Sequence, residues 1–318
     1  MLLGEVLAVE AAPVEITGLA YDNRKAEAGT LFFCVPGFTR DGHDFAADAV
    51  ARGAAALVVD HPLGLGVPEV VVEDVRAAMA PAAARFFGDP TARLRMAGVT
   101  GTNGKTTTCF ILRELLEAAG IRTGLLGTVT SFVGGQERAT VRTTPEAIDL
   151  QRTFAEMLAG ADAACAMEVS SHALELRRAD AVHWDVAVFT NLTQDHLDFH
   201  DSMEDYFLAK RRLFEAGPRV TVVNVDDEYG RRLAAEFPGA IAYSLRDVER
   251  LEVTLSGSRF RLDGVELSTP LPGAFNVLNC LAAIHAARAL GAPDAAIAEA
   301  LPRLGRVPGR FEAVDEGQ

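Results

Sequence analysis

The sequence predicts an α/β protein in two parts: a small N-terminal α/β domain over 1–90 and a mostly parallel-sheet, phosphate-loop domain over 91–312. Three observations predict it. An apolar strand runs into a glycine-bounded turn and a helix at 96–108, strands and amphipathic helices alternate beyond it, and Phe86-Phe87-Gly88-Asp89-Pro90-Thr91-Ala92 breaks a helical pattern just before it. A length of 318 residues exceeds one comfortable core, and 49% hydrophobic with 23% charged residues describes an ordinary soluble chain.

The first ten residues carry two glutamates and no basic start, and read as folded protein rather than a secretory signal. No apolar run is long enough to cross a bilayer, so no membrane insertion is expected. Within 16–60 the pattern gives Tyr21-Asp22-Asn23-Arg24, a turn at Gly29, an apolar strand over 31–35, a helix over 45–51 and a strand over 55–59. Between the first of these strands and the helix lies a polar loop, 36–44, placed where ligand contacts collect.

The turn at Gly101-Thr102-Asn103-Gly104-Lys105-Thr106-Thr107 has the chemistry of a phosphate cradle. Its glycines let backbone N–H groups turn inward, the helix N-terminus adds positive potential, Lys105 can reach outer phosphates and Thr106 can hold a magnesium ion. The general phosphate-loop pattern would place its first glycine at Val99, so this loop is shorter. An ordinary strand-to-helix connection is the alternative.

Beyond it the sequence predicts strands at 95–100, 123–130, 163–168, 186–190 and 220–225, with helices at 106–119, 145–158 and 203–214. In such sheets ligands gather beyond the carboxyl ends of the strands, where the polar motifs fall here. A short antiparallel addition is expected over 251–262, then an Ala-rich helix over 277–290. Cys34, Cys109, Cys165 and Cys280 are far apart in apolar surroundings, which points to buried thiols in a reducing cytoplasm rather than to zinc or redox pairs. The net charge of −14 argues against nucleic acid as a partner but permits a nucleotide.

Three further constellations bear on the loop. Glu168 ends a strand, followed by Val169-Ser170-Ser171-His172, and could hold magnesium through oxygen. His196, in the loop opened by Asn191, could ligate a metal or orient a phosphate, or could simply pack. Lys210 lies on a helix, ordinarily the place of a solvated cation.

Taken together, 98–108, Thr143-Thr144-Pro145, 168–174, 191–200, 203–214, 273–279 and 307–312 resemble the Mur ligases, the ATP-dependent amide-bond formers of peptidoglycan assembly. The match is nearest the MurE group, which adds the third amino acid to UDP-MurNAc-L-Ala-D-Glu. Tyr21 to Arg24 and 36–45 resemble that family's UDP-binding domain. The resemblance implies a cytoplasmic enzyme, taken here as a monomer, that uses ATP, Mg2+, the UDP-sugar dipeptide and an amino acid. It implies that Gly101 to Thr107 bind ATP phosphates, with Asn276, Asn279 and Arg310 near the rest of the nucleotide. Thr106, Glu168, His196 and Lys210 would be metal ligands, Lys210 as a carbamate, with Lys105, Lys210 and His196 catalytic. Asn23, Thr143, Thr144, Ser170 and Arg178 match positions that hold the muramoyl peptide.

Two departures stand out: Asn23 where serine is common, and Gln194 where arginine is frequent. Family members also continue past a motif like 307–312 into a third domain. Residues 313–318 are therefore expected to start a linker, and this chain to bind its ligands without completing ligation alone. The other readings are a related ligase of the folylpolyglutamate or cyanophycin synthetase kind and a non-catalytic nucleotide-binding module.

Overall fold

A computed structural model describes residues 1–37, 39–140, 142–195 and 199–305. They form two compact units: Met1–Pro90 with Glu146–Ala155 and Leu176–Val182, and Thr91–Pro145 with Glu156–Glu175 and the chain from His183 onward.

The first unit runs α1 (Leu3–Leu7), β1 (Gly18–Ala20), β2 (Thr30–Phe33), α2 (Ala46–Ala51), β3 (Ala54–Val59), β4 (Glu69–Val71) and α3 (Val75–Phe86). Its strands lie in sequence order, all parallel. The uninterrupted apolar runs of β2 and β3 follow from burial on both faces. Leu31, Phe33, Ala56 and Val58 pack with Leu3, Val6, Met79 and Ala83 from α1 and α3. The alternate residues Phe32, Leu57 and Val59 pack with Ala46 and Ala49 of α2. Asp74 caps α3 by accepting the Ala77 N–H at 2.9 Å.

The second unit is built on β5 (Arg95–Thr100), α4 (Lys105–Ala118), β6 (Thr123–Leu126), β7 (Thr130–Val133), β8 (Gln136–Ala139), α5 (Ala147–Ala159), β9 (Ala164–Glu168), α6 (Ser171–Glu175), β10 (Val186–Phe189), α7 (Met203–Glu215), β11 (Val220–Asn224), α8 (Glu228–Glu236) and β12 (Ile241–Tyr243). The first few turns of α5 count with the first unit. A small sheet of β13 (Glu249–Thr254), β14 (Gly257–Leu262) and β15 (Val265–Thr269) follows, then α9 (Ala274–Ala289) and α10 (Asp294–Ala300).

The main sheet has the order β12-β11-β10-β5-β9-β6-β7-β8, parallel from β12 to β6 and antiparallel in the last two pairings. Ala97 and Val99 of β5 face a core shared with Leu112 and Leu115 of α4 and Val277, Leu281 and Ile284 of α9. Gly98, between them, points the other way. A Cβ there would come within 2.9 Å of the Trp184 ring and 3.2 Å of Leu213 on α7, so only glycine admits that helix so close. Helices therefore cover both faces. From β5 the chain first crosses to one side, building β6 and β9, and later to the other, building β10 to β12. The carboxyl end of β5 is thus the point where the winding reverses, the place where such sheets open a crevice.

The fold adds elements that the sequence reading did not place, among them α8, β12 and α10, and it redraws three that it did. The strand expected over 123–130 stops at Leu126, and 130–139 is a separate hairpin. Its turn residues Gly134 and Gly135 have φ of 58° and 75°, the left-handed pair that a tight two-residue hairpin requires. The antiparallel addition gains a third strand, β15. The last long helix begins three residues earlier than expected, at Ala274, because Gly273 at φ 92° turns the chain into it.

Candidate nucleotide and metal site

The turn between β5 and α4 is held open by two glycines in left-handed conformations, Gly101 (φ 147°) and Gly104 (φ 87°). A Cβ at Gly101 would strike Thr190 Oγ1, and one at Gly104 would strike Asn279 Oδ1, so both neighbours approach where a side chain would stand. The loop is also fastened to the end of β10. Thr102 N–H donates to the Asn191 carbonyl (2.8 Å), Asn103 N–H to Asn191 Oδ1 (2.9 Å), and Thr190 Oγ1 to the Asn103 carbonyl (2.6 Å). Thr102 Oγ1 meets Thr193 and lies 3.2 Å from the Tyr206 hydroxyl.

Lys105 opens α4 and curls back over the loop, donating from Nζ to the carbonyls of Gly101 and Thr102, both at 2.8 Å. Thr106 Oγ1 donates to Glu168 Oε2 at 3.0 Å. Glu168 ends β9, is 1% exposed, and also accepts the Thr128 N–H (2.8 Å) and hydroxyl (3.0 Å). A buried carboxylate beside two hydroxyls is an all-oxygen donor set of the kind Mg2+ takes through one or two protein groups plus phosphate, so these residues fit that ion.

Lys210, on α7, is the most buried cation among the described residues at 1% exposure. Its Nζ donates to the Gly101 carbonyl at 3.0 Å and lies 4.3 Å from the Tyr206 ring centre. Burial, then the neighbouring Lys105 charge, holds its amine well below the ordinary 10.5, against a smaller opposing pull from Asp195. A solvated surface cation would behave in the opposite way.

A cavity of about 500 Å³ opens between this loop and the start of α9. Asn276 and Asn279 line it, joined by an Asn279 Nδ2 to Asn276 Oδ1 bond of 3.1 Å. Thr128, Asn224, Tyr243 and Phe275 line it too, and the sequence reading passed over them. Asn224 carried a usable signal as a polar residue closing an apolar strand, the same pattern that marked Glu168. Tyr243 gave none, because only the sheet order brings β12 to this edge.

The residues matched to the muramoyl peptide divide between the units. Thr143 Oγ1 lies 3.1 Å from Thr128 Oγ1, and Thr144 Oγ1 donates to the Glu168 carbonyl at 3.0 Å. Ser170 N–H donates to Thr144 Oγ1 at 3.3 Å, so these three gather at the end of β9. Arg178 belongs to the first unit, where its Nε lies 2.9 Å from Glu146 Oε1. Asn23, also there, donates from Nδ2 to Asp48 at 2.7 Å. His196 and Arg310 lie outside the described residues. All four cysteines are buried, and desolvation pushes the Cys34 and Cys280 thiols up to about 12, as inert buried thiols should be.

A glycine-cornered loop at the switch point of a parallel sheet, with lysine and threonine opening the next helix and a carboxylate on the adjacent strand, defines a phosphate-loop nucleotide-binding α/β protein. Family models agree and narrow this: the Mur ligase middle domain matches residues 99–287, and the Mur ligase family catalytic domain matches residues 15–87. The chain belongs to the Mur ligase family. It is 47% identical to the UDP-N-acetylmuramoyl-L-alanyl-D-glutamate–2,6-diaminopimelate ligase of Geobacillus thermodenitrificans, over 96% of this chain and 66% of that one. The enzyme of that name from Streptomyces coelicolor is 44% identical over 96% of this chain and 64% of its own. A solved structure of a ligase so named superposes with a TM-score of 0.86 at 29% identity, covering 99% of this chain and 69% of that one. The chain thus spans about two thirds of the length of the curated relatives it matches.

Proposed function

We propose that this chain carries the nucleotide and UDP-sugar-peptide sites of an ATP-dependent ligase that adds the third amino acid, meso-diaminopimelate or L-lysine, to UDP-MurNAc-L-Ala-D-Glu in the cytoplasm. The observation that carries the reading is the meeting of Lys105, Thr106, Glu168 and Lys210 around one short phosphate loop. The names of the relatives supply the substrate.

In this reading the D-glutamyl side-chain carboxylate attacks the γ-phosphorus of ATP, the bond to the β-bridging oxygen breaks, and ADP leaves. The acyl phosphate so formed is attacked by the incoming amine; the C–N bond forms, phosphate departs, and the amine proton is lost to solvent or base. Lys105 releases its two loop carbonyls to neutralise the β- and γ-phosphate oxygens, and the N–H groups of 104–107 at the start of α4 orient them. Thr106 and Glu168 would hold Mg2+, with His196 and Lys210 as further ligands, and the ion would supply charge neutralisation at the transferring phosphoryl group. Lys210 suits carbamylation because its depressed basicity favours the neutral amine, whose nitrogen adds to CO2 with loss of a proton. Asn276, Asn279 and Arg310 are assigned to the nucleoside end. Thr143, Thr144 and Ser170, with Asn23 and Arg178 from the first unit, are assigned to the muramoyl peptide.

Calorimetric titration tests this reading. UDP-MurNAc-L-Ala-D-Glu and Mg2+ with a non-hydrolysable ATP analogue should each bind saturably. Affinity for a folate-type acceptor in place of the UDP-sugar would support the related-ligase reading, and nucleotide binding with no UDP-sugar affinity would support a regulatory module.

A further inference from the structure

The first unit holds a cluster of side chains to which the proposed function assigns no role. β3 ends at Val59 and is followed by Asp60 and His61, while the short turn Gly42–Phe45 brings His43 against them. His43 Nε2 lies 3.2 Å from Asp60 Oδ1, and His61 Nδ1 makes a short contact with that same oxygen. The two imidazole rings stack with centres 4.7 Å apart and planes 24° apart. One ligand atom from each of the three residues lies within 4.8 Å of the other two.

Behind His43 stands Asp41. Its Oδ1 lies 2.6 Å from His43 Nδ1 and accepts the His43 backbone N–H at 2.9 Å. A carboxylate so placed draws the ring proton to Nδ1 and leaves the Nε2 lone pair directed at Asp60, the tautomer a metal requires. The Asp60 backbone N–H reaches that lone pair at 3.3 Å, a long bond that can yield. The His43 side chain is 5% exposed and that of His61 is 60% exposed, so the cluster is anchored on one side and open to water on the other.

We propose that His43, Asp60 and His61 bind a divalent transition-metal ion of the zinc class, with Asp41 as the positioning carboxylate. Two imidazoles and one carboxylate select Zn2+, Co2+ or Ni2+ over Mg2+ or Ca2+. Ligand bonds of about 2.0–2.1 Å in a tetrahedron place donor atoms about 3.3 Å apart. The 3.2 Å between His43 Nε2 and Asp60 Oδ1 already meets that spacing. The bound ion would pin the turn at 41–45 to the end of β3. Plain ion pairing of Asp60 with the exposed His61 would be worth only about 0–1 kcal/mol and would need no metal.

The test is calorimetric titration of the chelator-stripped chain with Zn2+, in excess Mg2+ to occupy oxygen-rich sites, with Co2+ absorption as a second probe. One saturable event per chain is expected, with the visible bands of a nitrogen-ligated cobalt centre. His61→Ala and Asp60→Ala change exposed side chains and should each weaken binding at least about tenfold while leaving the denaturation midpoint of the metal-free chain in place. Asp41→Asn should weaken binding without changing the stoichiometry. Absence of saturable Zn2+ binding, binding that His61→Ala and Asp60→Ala leave intact, or binding that Glu168→Gln in the second unit abolishes would each overturn the proposal.

Discussion

Burial of Lys210 puts an amine where water cannot solvate its charge, and its pH behaviour follows. With the folded value held below 10.5, the unfolded chain binds more protons between the two values. Stability therefore rises with pH across that window and is flat outside it on this account. Lys210→Met is expected to be more stable than the parent at neutral pH by about 1–4 kcal/mol, with the advantage shrinking as pH approaches 10.5. Urea denaturation of both proteins at a series of pH values, in CO2-free buffer, checks this; an advantage that grows with pH would contradict it. Glu168 makes a different prediction. Glu168→Gln keeps the shape but removes the charge that Thr106 and Thr128 surround. Affinity for a non-hydrolysable ATP analogue should fall about tenfold or more when Mg2+ is present, and change little when it is absent.

At the scale of elements, close approach decides more than propensity. Gly98 has no side chain, which leaves room on β5 for the Trp184 ring and for Leu213 of α7, so Gly98→Val should cost about 1–3 kcal/mol in overpacking, read from the denaturation midpoint. The β7–β8 hairpin depends on backbone sign. Gly134 and Gly135 both sit at positive φ, and Asp162 Oδ2 accepts the Gly134 N–H at 2.7 Å. Gly135→Ala should destabilise by about 1–2 kcal/mol, with amide exchange accelerated first in 130–139. The paired glycines were the available signal for this hairpin. Reading the Leu- and β-branched-containing segment 123–130 as one strand concealed it, since periodicity cannot separate one long strand from a short strand and a turn.

For the whole molecule, ligand linkage gives the broadest check. Mg2+ with an ATP analogue at a hundred times its dissociation constant should stabilise the chain by about 2.7 kcal/mol. Chelation of Mg2+ should remove most of that gain, and a melting temperature that ignores both additions would count against the nucleotide site. Much of that site was legible in the chain itself. Gly101, Gly104, Lys105 and Thr106 are neighbours in sequence, so their chemistry survives as a motif. Glu168 was legible as a strand-terminal carboxylate, but its bond to Thr106 was not, because β9 is placed beside β5 only by the sheet order. The first unit shows the same limit. Its strands read clearly from uninterrupted apolar runs, whereas the inclusion of Glu146–Ala155 and Leu176–Val182, with Ala147 and Ile148 in its core, has no local signature.

Sequence by itself determined what depends on neighbours along the chain: the alternation that makes an α/β sheet, the glycine turn that must adopt positive φ, and the motifs shared with the Mur ligases. Tertiary structure alone decided what depends on distant segments meeting. It buried Lys210 against the Gly101 carbonyl, joined Thr106 to Glu168, brought Asn276 and Asn279 to the cavity beside the loop, and turned His43 onto Asp60 and His61. The physical reason is one of range. Backbone sterics and side-chain period act within a few residues, whereas desolvation and the convergence of polar groups exist only after the sheet order has been set.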